Sequence, residues 1–318
     1  MKIPIVVIIF NRPDKTKILY ESLSIYKPDA LFIISDGPRK NFENDEEKIR
    51  QSREIFKHID WDCEVLFNES ETNLGCRERI ISGLNWVFHK VEKAIILEDD
   101  CIPTKEFFLF MEKMLVRYQS NLKIGSVCGS NLLSYWNKTK ESYLYSKYFN
   151  SWGWATWRDR WQEFNTKLDS LDKIKKSKFL KSYLGSYRAY LYWHWKLNGV
   201  KNKKIDSWAY IWIFENFINE KLHVTPKMNL ISNIGIGLDS SNTKSYPVTY
   251  IPSNKMERKL DLQLIHPVYA FSNHEYDIDV ENKIFSKSFQ NRLLWFIKKI
   301  FRIKMVSYLW LIFFVIND

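Results

Sequence analysis

The run Ile3-Pro4-Ile5-Val6-Val7-Ile8-Ile9-Phe10 is about one strand long and has no polar face. A strand apolar on both sides belongs inside a parallel sheet with helices covering each face. The same grammar repeats over the first third of the chain. Asn11-Arg12-Pro13-Asp14 reads as a turn with Asp14 as N-cap, and Ile18, Leu19, Leu23 and Tyr26 then recur at helical spacing. Further strands are predicted at residues 30–35, 63–67, 94–97 and 124–128, with helices at 43–56, 77–90 and 105–118, the last capped by Thr104. This alternation predicts an α/β fold, a doubly wound mixed sheet flanked by helices.

Beyond residue 130 the pattern loosens. Helices are expected at 171–184, 187–197 and 208–219, and short strands at 222–225 and 228–232. With no repeat or low-complexity linker, residues 1–275 read as one catalytic unit, with a nucleotide-binding half (about 1–130) and an acceptor-binding half (about 131–275). Residues 276–318 form a basic and hydrophobic tail. Its apolar stretch 305–316 is shorter than the ~20 residues of a spanning helix. Lys298, Lys299, Arg302 and Lys304 beside it suit an amphipathic helix lying in one leaflet of an anionic membrane. A helix packed on the domain or on a partner is the alternative.

The chain has 318 residues, 45% of them hydrophobic and 27% charged, which suits a folded domain with a sizeable core. Its formal net charge of +11 calls for an anionic partner, whether nucleic acid, acidic bilayer or phosphorylated small molecule. The 13 tryptophans fit a sugar-facing surface, a membrane-facing one or a core of large side chains. Cys63, Cys76, Cys101 and Cys128 form no CxxC pair and read as reduced thiols. No export signal is visible at the N-terminus, so the expected location is the cytoplasm, at the inner face of the membrane.

Three consecutive carboxylates, Glu98, Asp99 and Asp100, follow the apolar run 94–97. Open α/β sheets bind ligands at the carboxyl ends of their strands, and like charges crowded there call for a counter-charge. Mg²⁺ or Mn²⁺, sharing one or two carboxylates with substrate phosphates, would supply it. A solvated acidic turn is the plainer reading.

Val6-Val7-Ile8-Ile9-Phe10-Asn11-Arg12-Pro13, Ser35-Asp36-Gly37-Pro38-Arg39, Asn73-Leu74-Gly75-Cys76 and Ile96-Leu97-Glu98-Asp99-Asp100 together resemble the bacterial family 2-type glycosyltransferases of the GT-A fold. Ser151-Trp152-Gly153-Trp154-Ala155-Thr156-Trp157 and Asp206-Ser207-Trp208-Ala209 are similar to the same group, and more distantly to the N-acetylglucosaminyltransferase I enzymes. The resemblance spans about residues 3–240. It implies an inverting, metal-dependent transferase moving a hexose or N-acetylhexosamine from a UDP-sugar to a saccharide or lipid-linked saccharide, as in surface polysaccharide or lipopolysaccharide synthesis. It further implies that Asp100 is the metal ligand, Asp99 lies near the ribose and Glu98 near the nucleotide. Asp36 would meet the uracil, Arg12 the nucleotide or diphosphate, and Asp206 would be the catalytic base.

Each of these residues also has a structural reading: a turn for Asp36, a surface charge for Arg12, an N-cap for Asp206. Gly153 would let the backbone approach a sugar, with the indole of Trp154 stacked on it. Arg77 and Arg79 suit the surface better than a diphosphate, and His194 and His266 suit packing or solvent. Asn233-Ile234-Gly235-Ile236-Gly237 reads as a flap beside the donor site. A sugar nucleotidyltransferase would share sheet and metal, but its glycine-rich Arg-Lys loop is missing after the first strand. A nucleic-acid-binding protein would explain the charge, but no reader motif is visible.

Overall fold

The computed structural model describes residues 2–168, 170–235, 260, 261 and 263–286. The first half runs β1 (Ile5–Ile9), α1 (Pro13–Tyr26), β2 (Ala30–Ser35), α2 (Asp45–Glu54), β3 (Glu64–Glu69), α3 (Gly75–Lys90), β4 (Lys93–Glu98), β5 (Cys101–Pro103), α4 (Lys105–Arg117) and β6 (Ile124–Cys128). It continues with β7 (Tyr143–Ser146), β8 (Trp154–Trp157), α5 (Arg158–Gln162), α6 (Leu171–Ser177), α7 (Phe179–Tyr183), α8 (Tyr187–Lys201) and α9 (Ala209–Ile218). Then come β9 (Leu222–Pro226), β10 (Ile231–Asn233) and α10 (His274–Val280), which runs into a π-helical turn, Glu281–Ser286.

Eight strands form one mixed sheet in the order β3-β2-β1-β4-β8-β6-β9-β7. The first four are parallel, β8 runs antiparallel between β4 and β6, and β7 lies antiparallel on β9. Strand periodicity explains why both faces are covered. Val6, Phe32, Ile34 and Ile96 point into one core with the apolar sides of α3, α8 and α9. Their neighbours Ile5, Val7, Ile33 and Leu97 point into the other, against α1 and α4. The α/β class and the mixed sheet flanked by helices are thus as the alternation demands.

Local departures have local causes. Helix α1 begins at Pro13, whose missing N–H and fixed φ suit that place, so Asp14 lies inside the first turn and Arg12 takes the cap position without a side-chain bond. Thr104 caps α4 as expected, its Oγ1 accepting from Phe107 N. The predicted helix 171–184 breaks in two at Lys178, where φ is 59°. β7 and β8, short strands rich in aromatic residues, had no legible boundary in the sequence. The folded unit continues past residue 275: Tyr276, Val280 and Phe285 are buried among the face of α8 and α9. The rest of the tail, including 292–316, lies outside the described residues. Among the described residues no helix is long and apolar enough to cross a membrane.

Candidate functional site

The chain passes outward from β1 to β2 and β3, then returns to place β4 on the other side of β1. This reversal opens a crevice at the carboxyl ends of β1 and β4, the position at which open α/β sheets take ligands. Arg12, three residues past β1, and the triplet closing β4 meet there. Arg12 Nη1 donates to Asp100 Oδ2 at 2.9 Å and lies 3.7 Å from Asp99 Oδ1. Phe10 N donates to Asp99 Oδ2 at 3.3 Å, which ties the β1 end to the same carboxylate.

One guanidinium faces three carboxylates. Burial, then Asp100 and Asp99, push the Glu98 carboxyl up to about 8 despite Arg12. Burial and Asp100 raise Asp99 to about 7. The cause is desolvation of like charges, which favours protonation or a further cation. Among the described residues no three His, Cys, Asp or Glu side chains converge as a metal cage. The described residues therefore form no all-protein metal site, and a cation here would need ligands from a bound partner such as phosphate oxygens.

Sequence reasoning left β5 unrecognised and placed only the segment from Asn233 onward beside the site. β5 and β10 pair antiparallel with Asn233 opposite Cys101, directly after the triplet. Ile234 N donates to Asp100 O at 2.9 Å, Asn233 Nδ2 to Asp100 Oδ1 at 3.3 Å, and Gly235 N to Asn233 Oδ1 at 2.8 Å. A Cβ on Gly235 would fall 1.9 Å from Asp100 Oδ2, so only glycine lets the backbone pass this carboxylate. The described part of the predicted flap is thus bonded to Asp100; Ile236 and Gly237 lie outside the described residues.

No family model matches this chain, and no curated protein matches it. Among solved structures, a UDP-glucose pyrophosphorylase complexed with UDP-glucose aligns over 51% of this chain and 79% of its own, at 11% identity and a TM-score of 0.30. A likeness of that degree fixes neither family nor activity.

The remaining predicted residues divide. Asp36 is buried and already saturated: Oδ1 accepts from Gly37 N and Leu74 N, both at 2.9 Å, and Oδ2 from Asn73 Nδ2 at 3.0 Å and Gly75 N at 3.1 Å. These bonds occupy the acceptor positions of a carboxylate, so Asp36 splices the end of β2 to the start of α3 and has no edge left for a uracil. Trp154 is 1% exposed, stacked on Trp208 at 5.1 Å inside a cluster with Trp161 and Trp212, so no sugar reaches its face. Gly153, at φ +57°, serves packing, since a Cβ would strike Ile231 at 2.5 Å. Trp152, two residues earlier, is only half-buried and precedes the end of β8 that pairs with Ile96, close to the carboxyl end of β4.

Asp206 is exposed and does not cap α9, whose N-cap Trp208 has no side-chain bond. It faces the amino end of α3 instead, with Oδ1 accepting from Arg77 N at 3.3 Å. Gly75 (φ +81°) makes room for it, because a Cβ there would be 2.9 Å from Asp206 Oδ2. Burial and the charges of Glu98, Asp206 and Asp36 raise the Cys76 thiol well above its usual range. Arg79 is not a surface residue. It is buried, donating to Ser35 O at 3.1 Å and Asn68 Oδ1 at 2.6 Å, while Arg53 donates to Ser35 Oγ at 2.8 Å. Arg77 pairs with Glu78, His194 with Asn198, and His266 with the Tyr143 hydroxyl.

Proposed function

We propose that the chain is an inverting nucleotide-sugar-dependent glycosyltransferase, moving a hexose or N-acetylhexosamine from a UDP-sugar to a saccharide or lipid-linked saccharide acceptor in bacterial surface polysaccharide or lipopolysaccharide synthesis. The observation that carries this reading is the meeting of Arg12, Asp99 and Asp100 at the β1/β4 reversal of the sheet. A crevice there has charge of both signs, suited to a diphosphate accompanied by a cation.

In this proposal Asp100, with Asp99, holds Mn²⁺ or Mg²⁺ against the donor's diphosphate. When bound, the ion supplies Lewis-acid stabilisation of the departing nucleotide. Arg12 exchanges Asp100 for a diphosphate oxygen as donor enters, and Asn233 and the Ile234 backbone hold Asp100 in place. Glu98 stands behind, toward the nucleotide. An open polar cleft of about 390 Å³ adjoins Arg12 and is lined by Asn11, Arg39, Phe42 and Lys48 among others. Its Arg39 lies 3.9 Å over the Phe42 ring and pairs with Asp45, forming a flat cationic wall suited to a nucleotide base in place of Asp36. Trp152, in place of Trp154, offers its ring to the sugar.

Asp206 takes the proton of the acceptor hydroxyl as that oxygen bonds to the anomeric carbon. The bond from that carbon to the diphosphate breaks on the opposite face, and its electron pair leaves with UDP. The tail 287–318 holds the enzyme at the inner face of the cytoplasmic membrane.

Incubation of the full chain with UDP-sugars, Mn²⁺ and a panel of saccharide acceptors tests the reading. Free UDP formed together with a lengthened acceptor is the expected result. UTP formed from UDP-sugar and pyrophosphate would replace it with nucleotidyl transfer, and neither product under any donor would overturn both.

A further inference from the structure

The segment Leu264-Ile265-His266-Pro267-Val268-Tyr269-Ala270-Phe271 has no role in the crevice, and its composition is that of a buried strand. The structure places much of it outside. Ile265 is 57% exposed, Val268 83%, Tyr269 71% and Phe271 70%. Scattered exposed apolar residues are ordinary, but four within seven positions are a patch.

The patch is held firmly in place. Ser142 N donates to Ile265 O and Ile265 N to Ser142 Oγ, both at 2.9 Å, and Asn273 N donates to Tyr145 O at 2.7 Å, so both ends are fastened to or next to β7. His266 Nδ1 is 2.9 Å from the Tyr143 hydroxyl, which bonds the Tyr118 hydroxyl in turn. Arg117 Nε donates to that same Tyr118 hydroxyl at 3.3 Å. This chain of contacts brings the end of α4 beside the loop. On α4, Lys113, Val116 and Arg117 are exposed at spacings of three and four residues, one helix face, with Val116 64% exposed. Of the acidic side chains nearby, Glu112 accepts from Tyr26, and Glu275 pairs with Lys138.

We propose that the loop at 265–271 and the Lys113–Val116–Arg117 face of α4 form a docking surface for an anionic lipid bilayer. Aliphatic and aromatic side chains standing out from a braced loop, with cations beside them, match an interface that is apolar below and negatively charged above. The apolar side chains stand exposed on the loop, which suits insertion into a fluid phase. The net charge of +11 acts in the same direction. Its residues precede the tail in sequence, and the proposal uses no part of the catalytic reading.

The test is co-sedimentation of the full chain with vesicles of 70% phosphatidylcholine and 30% phosphatidylglycerol, against vesicles of pure phosphatidylcholine. Val268→Ser/Tyr269→Ser/Phe271→Ser is expected to lower partition onto the anionic vesicles about tenfold or more, with an unchanged melting temperature, since these side chains are exposed. Lys113→Gln/Arg117→Gln is expected to lower it about fivefold per charge on anionic vesicles and not at all on neutral ones. Unchanged partition of the triple variant overturns the proposal, because binding would then belong wholly to other parts of the chain. So does a wild-type dimer that becomes monomeric in the triple variant without change in partition, which would make the patch a contact between copies.

Discussion

Two groups of acids, one part-buried and one buried, sit in different surroundings. At the carboxyl edge of the sheet, Glu98, Asp99 and Asp100 share Arg12. Under α10, Asp277 and Glu281 share Lys147, whose Nζ lies 3.0 Å from Glu281 Oε1. The second group is enclosed by donors from its own fold. Ser146 Oγ, Lys147 N and Ser272 Oγ donate to Asp277, while the Tyr148 hydroxyl at 2.6 Å and Gly185 N at 3.1 Å donate to Glu281 Oε1. Glu281 Oε2 is buried without a partner among the described residues. Among the described residues the first group has fewer donors for more charge, and it lies where the strand order reverses. The contrast separates an acid cluster that fastens a helix from one kept in excess of local positive charge, as a ligand site requires.

Substitutions can break that contrast. Asp100→Ala is expected to reduce UDP release on the order of a thousandfold while the melting temperature moves by only ~3 °C, because it relieves repulsion as well as removing a ligand. Full activity in this variant would put the cation elsewhere. Lys147→Met should do the reverse. It strands Glu281 in the interior and is expected to cost about 3–5 kcal/mol in urea unfolding, with per-molecule turnover of the folded fraction preserved. A loss below ~1 kcal/mol would show that the α10 cluster fastens nothing.

The tryptophans sharpen the same division. Trp154→Ala opens the cluster with Trp208 and Trp212 and is expected to cost about 3–5 kcal/mol of stability. Trp152→Ala is expected to leave stability nearly unchanged and to raise the donor KM about tenfold, a scale consistent with loss of one aromatic contact. Equal stability losses in the two variants would place both rings in the core.

The smallest effect is a pH dependence. Burial raises the Asp277 carboxyl to about 6, against about 3.9 in an unfolded chain. The folded state therefore binds this proton more tightly. Its contribution to stability is fully present below about pH 4 and is lost as pH rises through 6. The stability difference between wild type and Asp277→Asn should accordingly shift in favour of the variant across pH 4 to 6, by on the order of 2 kcal/mol. Parallel pH curves would refute the shift.

Much of the frame was legible because strands buried on both faces must be apolar, and β1, β2 and the middle of β4 are, while the edge strand β3 is only part-buried. Thr104 was legible for a similar local reason: a hydroxyl before an apolar helix has few other uses there. The tryptophan-rich middle was not, since an indole reads the same whether it faces a sugar or, like Trp154, three other indoles. Asp36 misled for a related reason. A carboxylate at a strand end looks like a ligand until its acceptors are traced to Leu74 and Gly75, more than thirty positions away. Arg53, half-buried, and Arg79, buried, against the ends of β2 and β3, carried no sequence signal that distinguishes them from surface arginines.

Order along the chain was enough to determine the α/β class, the helices with strong periodicity, and the acidic triplet at a strand end, because those depend on neighbours within a few residues. It took the folded sheet to decide that Arg12 pairs with the triplet, that Asn233 and Ile234 hold Asp100, and that Asp206 faces α3 and not its own helix. Each of those facts is a contact between residues from 88 to 134 positions apart. Such contacts are set by strand order and register, and the side chains that make them carry no local mark of their partners.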